Sequence, residues 1–188
     1  MTKLRKEARA ISEALIYAAS ITKPPILFDD ILNWVKDSLG FKLTIIDSKS
    51  YLANYGLSGK IIRRGKNVFI IINQNDPEVR QRFTMAHELG HLLEGVHVAY
   101  MSQAIPSGYD KERFANIFAS ELLMPADLVE KEWLKLRRTY ATHIVQYKLA
   151  QLFAVSNEAM GYRLNELNLQ SKHWANTIIP LYIDNNLN

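Results

Sequence analysis

Residues 82–93 read RFTMAHELGHLL, and no other stretch constrains the fold as tightly. Val79, Phe83, Ala86, Gly90 and Leu93 recur at spacings of three and four, the pattern of a helix with one face against a core. Asp76 and Pro77 supply a start signal and Gly95 a stop. Inside that helix His87 and His91 are four positions apart, slightly more than one turn, so both imidazoles leave the same face. Glu88 lies about a quarter-turn away. The chain has only five histidines, and H-E-x-x-H would arise by chance in fewer than about one such sequence in a hundred. Polar groups set against an apolar stripe need partners, and one divalent ion shared by two imidazoles is an efficient one. His87 and His91 are therefore expected to be metal ligands, and Glu88 a general base beside them. Gly90 leaves room for another element to pack closely, at some cost in helix propensity.

A catalytic zinc needs a third protein ligand and an open position. His97, Glu112 and Glu121 are the candidates. Asn116 follows Glu112 by four residues in ERFANIFASELLMP and shares its helix face. A carboxylate on the metal, with an amide one turn on that can hydrogen-bond a ligating imidazole, makes a coherent pair. Glu121 has no such neighbour, and LLMP ends its helix. Spacing favours Glu112 and leaves the other two open. Zinc is the expected ion, although a two-histidine, one-carboxylate set also accepts manganese or cobalt.

Around this centre the chain predicts an α+β fold. Leu4, Ala8, Ile11, Leu15 and Ala18 recur at helical spacing in a first helix with a basic outer face. DDILNWVKDSLG is a second helix, with an aspartate cap and a closing Gly40. FKLTIID is a short strand, and KIIRRGKNVFIIIN is a hairpin around RRGKN. Val68–Ile72 is apolar enough to lie in a covered sheet, and an extended substrate could add beside it. A loop is expected over 96–106. SGYD, a capping box at 107–110, opens the next helix, which ends at Pro125. Two or three further helices fill 126–168, and IIPLYIDNNLN holds a short β-like run and a fraying end.

At 188 residues one sizeable domain is expected. The organisation is a core over 1–125 that includes the N-terminal helices, and a C-terminal helical subdomain and tail over 126–188. A net charge of +4 permits nucleic-acid contact without arguing for it. The absence of cysteine excludes disulfides, Cys-type zinc sites and thiol nucleophiles, and fits a reducing compartment. No apolar run is long enough to span a bilayer, so no membrane role is expected.

RQRFTMAHELGHLL followed by ERFANIFASELLMP resembles the paired signature of the ImmA/IrrE metallo-endopeptidases. The resemblance covers residues 25–170, from upstream of LSGKII and VFIIIN to LAQLFAVSNEAMGYRLNEL. It implies a zincin-like core, with a small mixed sheet packed on an active-site helix. It implies zinc held by His87, His91 and Glu112, with Glu88 as catalytic acid/base. The family's further histidine, in HLLLH, is replaced here by HLLEGVH, where His97 is the nearest equivalent. The family includes cytoplasmic proteases that cleave helix-turn-helix repressors of mobile elements or stress responses. A protein substrate of that kind is the partner the resemblance implies.

For the oxyanion donor, Tyr100, Tyr109, His97 and His143 are equal candidates. YKLAQLFAVSNEAMGYRL has the form of a helix-turn-helix capped at Ser156. Its second helix carries Arg163 among Glu158 and Glu166, without the basic cluster that phosphates require, so direct DNA binding is not expected. Two rival readings differ in kind. One is a regulatory module that keeps the metal site and binds a repressor or DNA without cutting. The other is a structural metal domain closed by a fourth protein ligand, against which the intact Glu88 argues.

Overall fold

The computed structural model describes residues 2–50, 52–101 and 108–169, with backbone alone for 53, 97–101 and 108–109. The tail from 170 onward, including the β-like run, lies outside the described residues.

Helix α1 (Lys3–Ala18) buries Ala8, Ser12 and Leu15. The stripe is rotated slightly from the expected one. Ser12 is inside and Ala18 is exposed, because a small side chain suits the close packing of α1 on the later helix α4. Helix α2 (Phe28–Leu39) begins before the expected aspartate cap. Its N-cap is Leu27, and Asp29 and Asp30 lie in the first turn, where they face the positive end of the helix dipole. Gly40 closes it in the left-handed region, φ +66°.

Three strands form one mixed sheet, β1 (Lys42–Ser48), β2 (Gly59–Arg64) and β3 (Asn67–Asn73), in the order β1-β3-β2. β3 pairs parallel with β1 and antiparallel with β2, Ile61 standing opposite Ile70. Val68, Ile70 and Ile72 are buried in the central strand, as their apolar run predicts. This position overturns one expectation. Both edges of β3 are already hydrogen-bonded, so no substrate strand can add beside Val68–Ile72. The free edge on that side belongs to β2.

Helix α3 (Glu78–Met101) passes through Gly95 instead of stopping there. A glycine inside a helix costs only about 1 kcal/mol relative to alanine. The expected loop is therefore helical up to Met101, and 102–107, including Ser107 of the capping box, lie outside the described residues. α4 (Gly108–Leu123) ends two residues before Pro125, close to where the proline was expected to stop it, and α5 (Ala126–Leu136), α6 (Thr142–Phe153) and α7 (Asn157–Glu166) follow. Ser156 caps α7, its hydroxyl accepting the Ala159 N–H at 3.0 Å.

One apolar cluster joins these layers, from Ala8 and Ile31 through Val68, Ala86 and Phe118 to Trp133, Phe153 and Leu164. A buried ion pair ties α7 to α4. Arg163, 1% exposed, donates twice to the Glu121 carboxylate, at 3.0 and 2.5 Å, and once to the Met124 carbonyl at 2.9 Å. It also donates to Glu166, which Arg5 of α1 reaches from the other side. Arg82 of α3 makes a second tie, donating to the carbonyls of Ile26 and Ala154.

Candidate metal centre and active site

Helix periodicity brings His87 and His91 to one face of α3, and the α3–α4 crossing brings Glu112 to meet them. The crossing is tight at Gly90. A Cβ there would lie 3.1 Å from the Ala115 Cα and 3.0 Å from the Phe118 ring. Glu112 precedes Ala115 by three residues, so this close approach carries its carboxylate to the imidazoles.

The Nε2 atoms of His87 and His91 are 3.1 Å apart. Glu112 Oε2 lies 3.3 Å from the His87 Nε2, and Glu112 Oε1 lies 3.3 Å from the His91 Nε2. Ligands arranged tetrahedrally at about 2.0–2.1 Å from a zinc ion stand about 3.3 Å from one another. The two imidazoles and the carboxylate stand near that spacing, and a divalent ion fits between them. His87 Nδ1 lies 3.0 Å from Asn116 Oδ1. A carbonyl oxygen only accepts, so with this amide orientation the ring proton sits on Nδ1 and the Nε2 lone pair is left for a metal. Burial and the neighbouring His87 hold the His91 pKa below its ordinary value, which favours the neutral ligating form. Replacing Asn116 with alanine is expected to weaken metal affinity by roughly 10- to 100-fold while the fold stays intact. Chelator-competition titration would show it, and unchanged affinity would remove Asn116 from the site.

Of the other two candidates for the third ligand, Glu121 is not at the cluster. Glu121 is 4% exposed and engaged by Arg163. The side chain of His97 lies outside the described residues, as do those of Tyr100 and Tyr109. His143, at the start of α6, is exposed and does not line the cleft.

Glu88 is 8% exposed and sits between the metal donors and strand β2. The Ile61 backbone N–H donates to its carboxylate. Burial, reinforced by the Glu112 charge, nevertheless pushes its pKa from the ordinary 4.5 to about 7 in the metal-free protein. A carboxyl whose folded pKa exceeds its unfolded one destabilises the fold where the unfolded chain ionises more readily. The penalty is absent below about 4.5 and complete above about 7. In the metal-free protein Glu88→Gln is therefore expected to raise Tm at pH 8 and leave it nearly unchanged at pH 4.5. A gain that grew toward low pH would contradict the burial argument.

Gly59 is a site residue that sequence reasoning missed. Added to it, a Cβ would lie 2.2 Å from Thr84 Cγ2 and 3.2 Å from a Glu88 oxygen. Only glycine lets the β2 edge lie this close to α3. Nothing local in SGK marks it, because the contact is made by a helix 25 residues later. Gly59→Ala is expected to push β2 away from Glu88 and reduce turnover at least about 10-fold with modest loss of Tm. Wild-type turnover in that variant would show the approach to be dispensable.

The donors and Glu88 open into a cleft of about 530 Å³, whose other walls include Ser58–Ile61, Arg80, Phe83 and Thr84. The Asn73 N–H bonds the Ser58 carbonyl on the β3 side, so by alternation the backbone groups of Gly59, Ile61 and Arg63 face the free edge. No helix among the described residues is long and apolar enough to cross a membrane.

Residues 40–165 match the peptidase family described as the IrrE N-terminal-like domain. A curated relative is the radiation response metalloprotease IrrE of Deinococcus radiodurans. It is 33% identical over 108 residues, which are 53% of this chain and 31% of that protein. The present chain thus spans about a third of the relative's length. A similar solved structure is a Mycobacterium tuberculosis transcriptional regulator. Its TM-score is 0.60 at 17% identity, over 85% of this chain and 46% of that one, a likeness of fold alone.

Proposed function

Because this chain belongs to the IrrE N-terminal-like peptidase family, we propose that it is a zinc-dependent endopeptidase acting on a helix-turn-helix repressor. The observation that carries the reading is the convergence of His87, His91 and Glu112 beside the buried Glu88, at the floor of an open cleft. A zinc ion held by those three side chains would lend Lewis acidity to a water molecule and to the scissile carbonyl. Manganese is the alternative ion.

The chain's own groups supply the remainder. The free edge of β2 binds the substrate backbone in extended form, through Gly59 and Arg63. Glu88 takes a proton from the attacking water onto its carboxylate and returns it to the leaving amine. The Ile61 N–H holds that carboxylate toward the cleft. Asn116 fixes the ring of His87. The segment 126–169 is a helical subdomain of the peptidase, with Arg163 turned into the protein and not toward phosphates. A repressor substrate places the reaction in the cytoplasm.

Co-expression with a helix-turn-helix repressor from the same locus, followed by intact-mass measurement of both proteins, tests the reading. Two repressor fragments, absent when the metal is chelated, are expected. An intact repressor that stays bound would favour the non-cleaving regulatory module instead.

A further inference from the structure

A second cavity adjoins the cleft that holds the metal donors. Val79, Phe83, His87 and His91 are spaced by four along α3 and share a face. Arg80 and Phe83 wall the cleft, and on their far side they border this second cavity, of about 250 Å³. Its other walls include Val79 of α3, Met124 after α4, and Val155 and Ala159 of the α6–α7 unit. Arg80 forms the sill between the two spaces, its Nε held by the Ser58 hydroxyl at 3.0 Å.

We propose that this cavity seats one apolar, leucine-sized side chain of the peptide substrate, so that the helix-turn-helix-like unit serves as a specificity wall of the peptidase cleft. The inference rests on the peptidase reading and names the substrate chemistry of that same site.

Three observations converge on it. Apart from Arg80 and Ser156 the lining is aliphatic, aromatic and thioether side chains, so water inside finds few partners and an apolar side chain gains by replacing it. The cavity adjoins the cleft, with Arg80 and Phe83 as shared walls, so a chain lying across the metal donors passes close to it. The distances also agree. The Phe83 and His87 rings are 6.3 Å apart, and Val79 precedes His87 by about 12 Å of helix. An extended peptide advances about 3.3 Å per residue. The seated side chain therefore belongs to a residue two to four positions from the scissile bond.

The same geometry explains why the α6–α7 unit is held so firmly. Arg163 clamps α7 to Glu121 and to the Met124 carbonyl, and Met124 is itself a wall of the cavity. Arg82 bonds the Ala154 carbonyl in the α6–α7 turn, next to Val155. Both ties fix the wall relative to α3, the helix that carries the histidines.

The test measures binding to the full zinc-loaded chain by titration calorimetry. The probes are acetohydroxamate and two series of glycine-based peptide hydroxamates, extending to either side of the chelating group. A single leucine is moved along each peptide. We expect a gain of about 10-fold or more over the all-glycine probe with leucine two to four residues from the chelating group in one series. Filling the cavity by Ala159→Leu should abolish that gain. Enlarging it by Val155→Ala should move the preference from leucine to phenylalanine, and this second variant carries the test if the first fails to fold. Acetohydroxamate binding with a flat leucine scan, or a leucine preference untouched by both substitutions, would overturn the cavity assignment alone. No acetohydroxamate binding at all would overturn the peptidase reading and this inference with it.

Discussion

Glu88→Gln is expected to bind metal as the wild type does and to lose at least about 10²- to 10⁴-fold of its cleavage rate. The amide keeps the size of the carboxylate, and its oxygen still accepts from the Ile61 N–H, so the cleft should not rearrange. It does not touch the donor set of His87, His91 and Glu112. What it cannot do is accept a proton from water and hand it to a leaving amine. Metal content and repressor mass must be measured on the same preparation, so that loss of the ion is not mistaken for loss of the base. A loaded variant that still cut its partner at the wild-type rate would remove Glu88 from the chemistry.

The largest stability effect should come from a residue distant from the chemistry. Replacing Arg163 with leucine strands the Glu121 carboxylate, 4% exposed, without its partner. Such a loss costs about 3–5 kcal/mol, a fall in Tm of roughly 6–20 °C for a chain of this size. Replacing Glu121 and Arg163 together by leucine removes the stranded charge and should recover most of the loss, because a buried pair contributes little beyond its desolvation cost. The double-mutant cycle therefore reads the coupling directly. Additive losses would mean that the two side chains do not depend on one another. Glu166 and Arg5 extend this network to α1, so Arg163→Leu should also loosen the N-terminal helix.

The pair shows where sequence reading stopped. Arg163 stands in the second helix of a helix-turn-helix pattern, where exposed arginines meet phosphates, and Glu121 was open as a metal ligand. The two residues are 42 positions apart, and nothing near either one in sequence announces the other. Gly59 and Thr84 are the same kind of case. Asn116 is the contrary one, since its spacing from Glu112 was sufficient to anticipate the bond to His87. The hairpin of β2 and β3 was also legible, because alternation and the RRGKN turn are local. The end of α3 was not, because a single glycine costs a helix only about 1 kcal/mol and is a weak stop.

By itself the sequence determined which residue types could do chemistry and which of them share a helix face. Those relations follow from backbone geometry over a single turn. Only the tertiary structure decided which acid meets the imidazoles, which strand edge stays free, and that the helix-turn-helix pattern turns its arginine inward. These outcomes depend on how closely elements distant in the chain can approach. Here that is set by Gly90 against Ala115 and by Gly59 against Thr84, contacts with no periodicity for a sequence to display.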